Sequence, residues 1–325
     1  MIAVAIVTGF LGSGKTTLIS RILRDPAFAR TAVIVNEFGE IGLDHELIAS
    51  SDETLLALTT GCLCCAVRSD LVATLLELQR RRDAGEIGYD RVLIETSGLA
   101  DPAPILHALM TDVDIAQRHA IDGIVTVVDA LHGAATLDRH PEARRQAALA
   151  DTMLLSKTDI VGSAMALRKR LTALNPGAAL HLAGAVAPGM LFTGSIATTR
   201  VMALPALPAR NPFERAQHTD GIETFTLWRE RAVPALALTL LLEALAEHCG
   251  ARLLRVKGLV DIEEMPGRPA VIHGVQHVFA PPEFLDRWPS AEHMTRMVFI
   301  TQDVPHHFPA RLLDAIEQEV REEMR

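Results

Sequence analysis

Three thiols stand within four positions in Gly61-Cys62-Leu63-Cys64-Cys65. Thiolates favour Zn²⁺ and other borderline-soft ions. Sulfurs this close converge only where the chain turns, which Gly61 permits. Three cysteines do not close a four-ligand structural site, so a fourth ligand comes from elsewhere or a position stays open for transfer. Inert core cysteines are the bland alternative, but packing has no need of three together. A redox switch is the stronger rival, with Cys62 and Cys65 in C-x-x-C spacing. Adjacent Cys64 and Cys65 would form a strained ring with each other.

A second constellation handles phosphate. Gly9-Phe10-Leu11-Gly12-Ser13-Gly14-Lys15-Thr16 matches G-x-x-x-x-G-K-[ST] between a strand and a helix, where such a loop has to sit. Backbone N–H groups freed by Gly9, Gly12, Ser13 and Gly14 curl around phosphate oxygens. Lys15 reaches the β/γ-phosphates, and the Thr16 hydroxyl ligates Mg²⁺. The apolar run 91–94 ends in Glu95, an acid at a strand tip that would polarise the attacking water or hold the metal's water shell. A solvent-facing acid is the alternative there. Ser156-Lys157-Thr158-Asp159 resembles the N-K-x-D element of GTP-binding proteins, with serine where asparagine is usual. In that element the aspartate accepts from guanine N1 and N2, and the lysine stem packs on the ring. A buried Asp159 left unpaired by adenine would reject ATP. The polar stretch Asn36-Glu37-Phe38-Gly39-Glu40-Ile41-Gly42-Leu43-Asp44 leaves the end of a strand near the phosphates. Glu37 is its candidate to sense the nucleotide and complete the metal site.

Alternating elements position these groups. Aliphatic runs at 2–7, 31–35, 91–95, 122–128 and 152–155 read as buried parallel strands. Between them lie amphipathic stretches, among them 69–79 with Leu71, Val72, Leu75 and Leu76 at helical spacing and Ser69 as N-cap. This predicts an α/β domain with a mostly parallel sheet over 1–183. Pro188, Pro205, Pro208 and Pro212 mark a linker over 184–221. Residues 222–325 read as a smaller α+β domain. It has strands at 222–228, 252–260, 270–276 and 295–301, a helix from near Pro234, and a final helix at 309–323. That last helix carries Leu312, Leu313, Ile316 and Val320 on its apolar face.

Composition closes other doors. The chain has 325 residues, 49% of them hydrophobic and 22% charged, so general disorder is excluded. A net charge of −9 and only 4% aromatic residues argue against nucleic acid as a partner. The basic run Arg80-Arg81-Arg82 reads as a solvated helix end. No apolar run approaches the ~20 residues that span a bilayer. The apolar start at 1–7 lacks a basic flank and runs into the glycine motif, so it reads as a first strand of a cytoplasmic protein rather than a leader.

The ensemble resembles the CobW-like family of P-loop GTPases. The matching segments are V-T-G-F-L-G-S-G-K-T-T (7–17), N-E-F-G-E-I-G-L-D (36–44), G-C-L-C-C (61–65), I-E-T-S-G-L-A-D-P (94–102) and S-K-T-D (156–159). Arg255-Val256-Lys257-Gly258 and Val271-Ile272-His273-Gly274-Val275-Gln276 look like the family's C-terminal module. The resemblance covers nearly the whole chain. It implies a P-loop NTPase domain followed by an α+β domain, and a GTP-hydrolysing metallochaperone that delivers metal to a client metalloprotein or metal-dependent enzyme. It further implies GTP and Mg²⁺ on Gly9 to Thr17 and on Ser156, Lys157 and Asp159. Lys15, Thr16 and Glu95 would serve hydrolysis. Zn²⁺ would sit on Cys62, Cys64 and Cys65 with Glu37; Co²⁺, Ni²⁺ and a homo-oligomer stay open. Some members carry a histidine-rich loop, whereas here His218 stands alone in the linker. His273, His277, His306 and His307 read as packing or surface residues. Rival readings are a phosphotransferase using the same loop and a redox- or metal-sensing module.

Overall fold

The computed structural model describes residues 1–37, 55–59, 64–187, 189 and 221–323. Contacts divide the chain into two compact units: Met1–Lys169 with a segment from Ala178, and Arg170–Gly177 with the C-terminal segment. Each unit holds one sheet.

The first unit runs β1 (Ile2–Thr8), α1 (Lys15–Leu23), β2 (Thr31–Glu37), β3 (Leu55–Thr59), α2 (Cys64–Asp83), β4 (Arg91–Thr96), α3 (Ala103–Thr111), α4 (Val113–Ala116), β5 (His119–Asp129), α5 (Gly133–Arg139), α6 (Pro141–Leu149), β6 (Thr152–Ser156), the first half of α7 (Met165–Leu174) and β7 (Ala179–Leu182); the second half of α7, from Arg170, is assigned to the second unit. The strand order is β3-β2-β4-β1-β5-β6-β7, and every pairing is parallel. Parallel strands are covered on both faces, which is why their sequences are continuous aliphatic runs. On one face Leu18, Ile19 and Ile22 of α1 pack against Val7, Val33, Leu93 and Val127. Full burial of each such side chain is worth about 1.5–3 kcal/mol. Ile19 has no exposed surface, so Ile19→Ala would cost about 2–5 kcal/mol. α2 packs on α3 and brings Leu71, Leu75 and Leu78 inside.

The helix expected over 69–79 is thus longer and starts earlier, at Cys64. Ser69 lies within it. Its buried face is Leu71, Leu75 and Leu78, while Leu76 is 37% exposed. The strand count also exceeds the reading, since β3 and β7 are too short to declare a pattern.

The second unit contains β8 (Ile222–Arg229), α8 (Ala235–Cys249), β9 (Leu253–Val260), β10 (Ala270–Val275), β11 (Val278–Phe279), β12 (Glu283–Phe284), β13 (Thr295–Gln302) and α9 (Phe308–Glu323). The sheet order is β11-β10-β9-β13-β8, with β12 pairing β10, all antiparallel. Leu238, Leu241 and Leu245 recur along one face of α8 and meet Val256, Ile272 and Phe299 from the sheet and Leu313 and Val320 from α9. Leu259, Val271, Val298 and Trp288 pack together in a separate cluster. Leu312 and Ile316, expected on the apolar face of the last helix, are partly buried against the larger core. No helix among the described residues is long and apolar enough to cross a membrane.

Candidate functional site

In the first unit the carboxyl ends of the strands share one edge. Open α/β sheets bind ligands beyond that edge, where neighbouring connections part. β1 enters it between β4 and β5, and the phosphate loop follows at once. Gly9, Gly12 and Gly14 all have positive φ, at 143°, 70° and 99°. At Gly9 a Cβ would lie 2.3 Å from the Val127 carbonyl oxygen, so no side chain fits where the loop crosses β5. α1 begins at Lys15 directly after the loop, and its partial positive N-terminus favours an anion there. Lys15 Nζ donates to the Gly9 carbonyl at 2.9 Å and to that of Phe10 at 3.4 Å. Ser13 is 2% exposed, and its Oγ lacks a hydrogen-bond partner among the described residues. A turned loop with an orphan hydroxyl and a lysine at its mouth fits a polyphosphate. Thr17, on the outer side of α1, is exposed.

Glu95 sits on β4 in register with Val7 of β1 and Val35 of β2. It is 6% exposed, and Thr16 Oγ1 donates to its Oε1 at 3.2 Å. The pair of hard oxygens, hydroxyl and carboxylate, suits Mg²⁺ by its chemistry. One residue on, Thr96 Oγ1 donates to Thr8 Oγ1 at 2.8 Å and ties the tip of β4 to that of β1.

Ser156 ends β6 and faces Asp129 across the β5 pairing. Its Oγ donates to the Ser13 carbonyl at 2.6 Å and to that of Val128 at 3.4 Å. Lys157 follows in the left-handed region, with φ of 55°. Its ammonium donates to Asp129 Oδ2 at 2.7 Å, while Asp129 Oδ1 accepts from the amides of Leu131 at 2.7 Å and His132 at 3.3 Å. Burial pushes the Asp129 carboxyl up, but the Lys157 ammonium and the two amides outweigh it and hold the group below its ordinary value. Sequence reading missed Asp129, although a strand-tip acid was the very signal that found Glu95. Asp159, the candidate reader of the base, is exposed. Arg21, likewise missed, donates from α1 to the carbonyls of Ala183 at 2.5 Å and Val186 at 3.1 Å and holds the loop after β7.

The sulfur cluster is described in part. Glu37 is the last residue of β2 and pairs with Thr59 of β3, three positions before Cys62. Cys64 and Cys65 open α2. Cys62 and residues 38–44 lie outside the described residues. The β2–β3 pairing thus ends at Glu37 and Thr59 on the edge that holds the phosphate loop. Among the described residues no group of three or more His, Cys, Asp or Glu side chains is arranged to hold a metal ion. In the second unit, His306 and His307 meet edge to face at 5.4 Å, and His306 lies 6.5 Å from the Phe225 ring.

Comparison with known proteins gives concordant results. Residues 3–181 match the family model for the CobW/HypB/UreG nucleotide-binding domain, and residues 222–317 match that for the cobalamin synthesis protein CobW C-terminal domain. The zinc chaperone YjiA of Escherichia coli is 34% identical over 308 residues, spanning 94% of this chain and 95% of that protein. The zinc chaperone CobW of a Sinorhizobium species is 30% identical over 82% of this chain and 83% of its own length. The crystal structure of Zn(II)-bound YjiA GTPase from E. coli superposes with a TM-score of 0.77 at 27% identity, covering 97% of this chain and 98% of that one.

Proposed function

The chain belongs to the CobW-like family of P-loop GTPases, and on that premise we propose that it is a GTP-hydrolysing zinc metallochaperone of the cytoplasm. Cys62, Cys64, Cys65 and Glu37 hold the cargo ion, and a client metalloprotein or metal-dependent enzyme receives it. Residues 1–183 form the nucleotide domain, 184–221 the linker and 222–325 the C-terminal domain. The observation that supports this reading is the register of β2 on β3. It sets Glu37 beside Thr59, three positions before the first cysteine, on the edge that bears the phosphate loop.

The residues divide the work. The loop amides and Lys15 hold the β- and γ-phosphates. Thr16 and Glu95 are the oxygens that would hold Mg²⁺, which when bound neutralises charge building on the phosphates. Glu95 also orients the attacking water. Lys157, braced by Asp129, packs on the base, and Asp159 accepts from guanine N1 and N2. Adenine offers no such donor pair and would leave the aspartate covered and unpaired, which rejects it. Glu37 lies on the strand next to β4 and so links the nucleotide side to the thiolates. The triphosphate state draws the Glu37 segment onto the cargo site; hydrolysis releases it and lowers affinity for the ion.

Coupling of this kind amounts to about 1–3 kcal/mol, roughly 5- to 150-fold in affinity, and it is reciprocal. The test is a competitive titration of Zn²⁺, Co²⁺ and Ni²⁺ against the protein loaded with GDP or with a non-hydrolysable GTP analogue. A several-fold difference in Zn²⁺ affinity between the two states is expected. Equal affinities in both would refute the carrier scheme. Because the ligands must be deprotonated thiols, Zn²⁺ affinity should also fall as pH is lowered.

A further inference from the structure

The loop leaving β4 is gripped from two sides. On one side Gly98 presses on the phosphate loop so closely that a Cβ there would lie 2.6–2.8 Å from Leu11, side chain and backbone alike. On the other side stands α6. Its Gln146 is 1% exposed and donates from Nε2 to the carbonyls of Gly98 at 3.1 Å and Ala100 at 2.9 Å. Arg145 adds an ion pair to Asp101 at 3.5 Å, and Asp101 in turn accepts from the Ala103 amide at the start of α3, 2.9 Å away. Thr126 of β5 donates to the Gln146 carbonyl at 2.8 Å and fixes this turn of α6 to the sheet. Segment 97–101, beginning two residues after Glu95, is thereby suspended between helix and phosphate loop.

We propose that Gln146 is a positioning residue for GTP hydrolysis, an inference that rests on the GTPase reading above. It holds the Gly98 backbone against Leu11 and, through the short connection to Glu95, fixes the distance between that carboxylate and Thr16. The side chain itself argues for a task other than stability. Its Oε1 is buried without a partner among the described residues, and an unmet buried acceptor weighs against folding. Leucine would fill nearly the same volume without that cost. What only the amide supplies is the pair of N–H groups aimed at Gly98 and Ala100. Freed of them, these two carbonyls turn toward water and carry the loop away from Leu11. A shift near 1 Å at a reacting group is enough for about a hundred-fold loss of rate.

The experiment compares wild type with Gln146→Leu and Gln146→Asn, the second keeping the amide but falling one methylene short. Steady-state GTP hydrolysis, GDP affinity and the urea midpoint are measured for each. In both variants kcat should fall about ten-fold or more, with KM for GTP and GDP affinity within two-fold of wild type. For the leucine variant the urea midpoint should fall only modestly and out of proportion to kcat, since one unmet acceptor is removed while two carbonyls lose their donor. Folded variants with wild-type kcat would overturn the assignment. So would losses of kcat and GDP affinity in step with lost stability, which is what a purely structural residue gives. If Gln146→Leu does not fold, Gln146→Asn decides alone. A wild-type protein that hydrolyses no GTP would refute the GTPase reading and this inference with it, a result plainly different from a variant matching an active wild type.

Discussion

The two sheets solve opposite problems. In the parallel sheet of the first unit all strands point the same way, so Thr8, Glu37, Glu95, Asp129 and Ser156 finish at one edge. In the antiparallel sheet of the second unit, neighbours run in opposite directions and strand ends are shared between two edges. In the first unit Gly9, Gly12, Gly14 and Lys157 have positive φ around the proposed nucleotide site, and Gly85 has one elsewhere. In the second unit Gly221, Gly250, Gly267, Gln276 and Asp303 do. β9 is buried along its whole length, the charged Arg255 and Lys257 included. The candidate chemistry gathers where strand direction is uniform.

Substitutions can break this contrast. The largest effect is expected at Lys15→Ala, which should lower kcat for GTP by about 10²–10³-fold, as removal of a preorganised donor does, with the folded state kept; stopped-flow or malachite-green phosphate assays read it. Next, Gly9→Ala drives a methyl into the Val127 carbonyl at a φ of 143°. It should cost about 2–3 kcal/mol in urea unfolding and weaken nucleotide binding. Gly258→Ala is its counterpart in the second sheet, where the added carbon would lie 2.7 Å from Met297 Cγ and 3.0 Å from the Arg296 carbonyl. Destabilisation of about 1–3 kcal/mol is expected, with GTP turnover at 25 °C unchanged. A loss of turnover there would show that the second sheet does share in the chemistry.

The smallest effect concerns Asp129. Because its folded-state value is depressed, its contribution to stability is present above the ordinary value of 3.8 and is lost as pH falls through the depressed one. Asp129→Asn should therefore lower Tm by a constant amount between about pH 5 and 8, and the gap to wild type should close only below pH about 4. GTP affinity should drop a few-fold as Lys157 loses its brace. A Tm gap that instead varies between pH 5 and 8 would sink this account.

Much of the first sheet could be read directly. Runs such as 91–95 and 152–155 are aliphatic because both faces are covered, and the glycine motif announces its own turn. What escaped was whatever depends on register. Asp129 meets Lys157 only because β5 and β6 pair with Asp129 opposite Ser156. Gln146 reaches Gly98 across 48 positions of sequence, and no local pattern encodes that. The start of α2 was misplaced because Cys64-Cys65-Ala66-Val67 carries neither a proline nor a capping residue, while Ser69 mimics a cap inside the helix.

The hydroxyl of Ser156 reaches across to the Ser13 carbonyl at 2.6 Å. In the proposed site, base recognition and triphosphate grip thus share a single mechanical joint. A misfit ring that nudges the tip of β6 will also slacken the cradle beneath the phosphates. Discrimination among nucleotides should then register as slower turnover as well as weaker capture, with one small side chain as the lever.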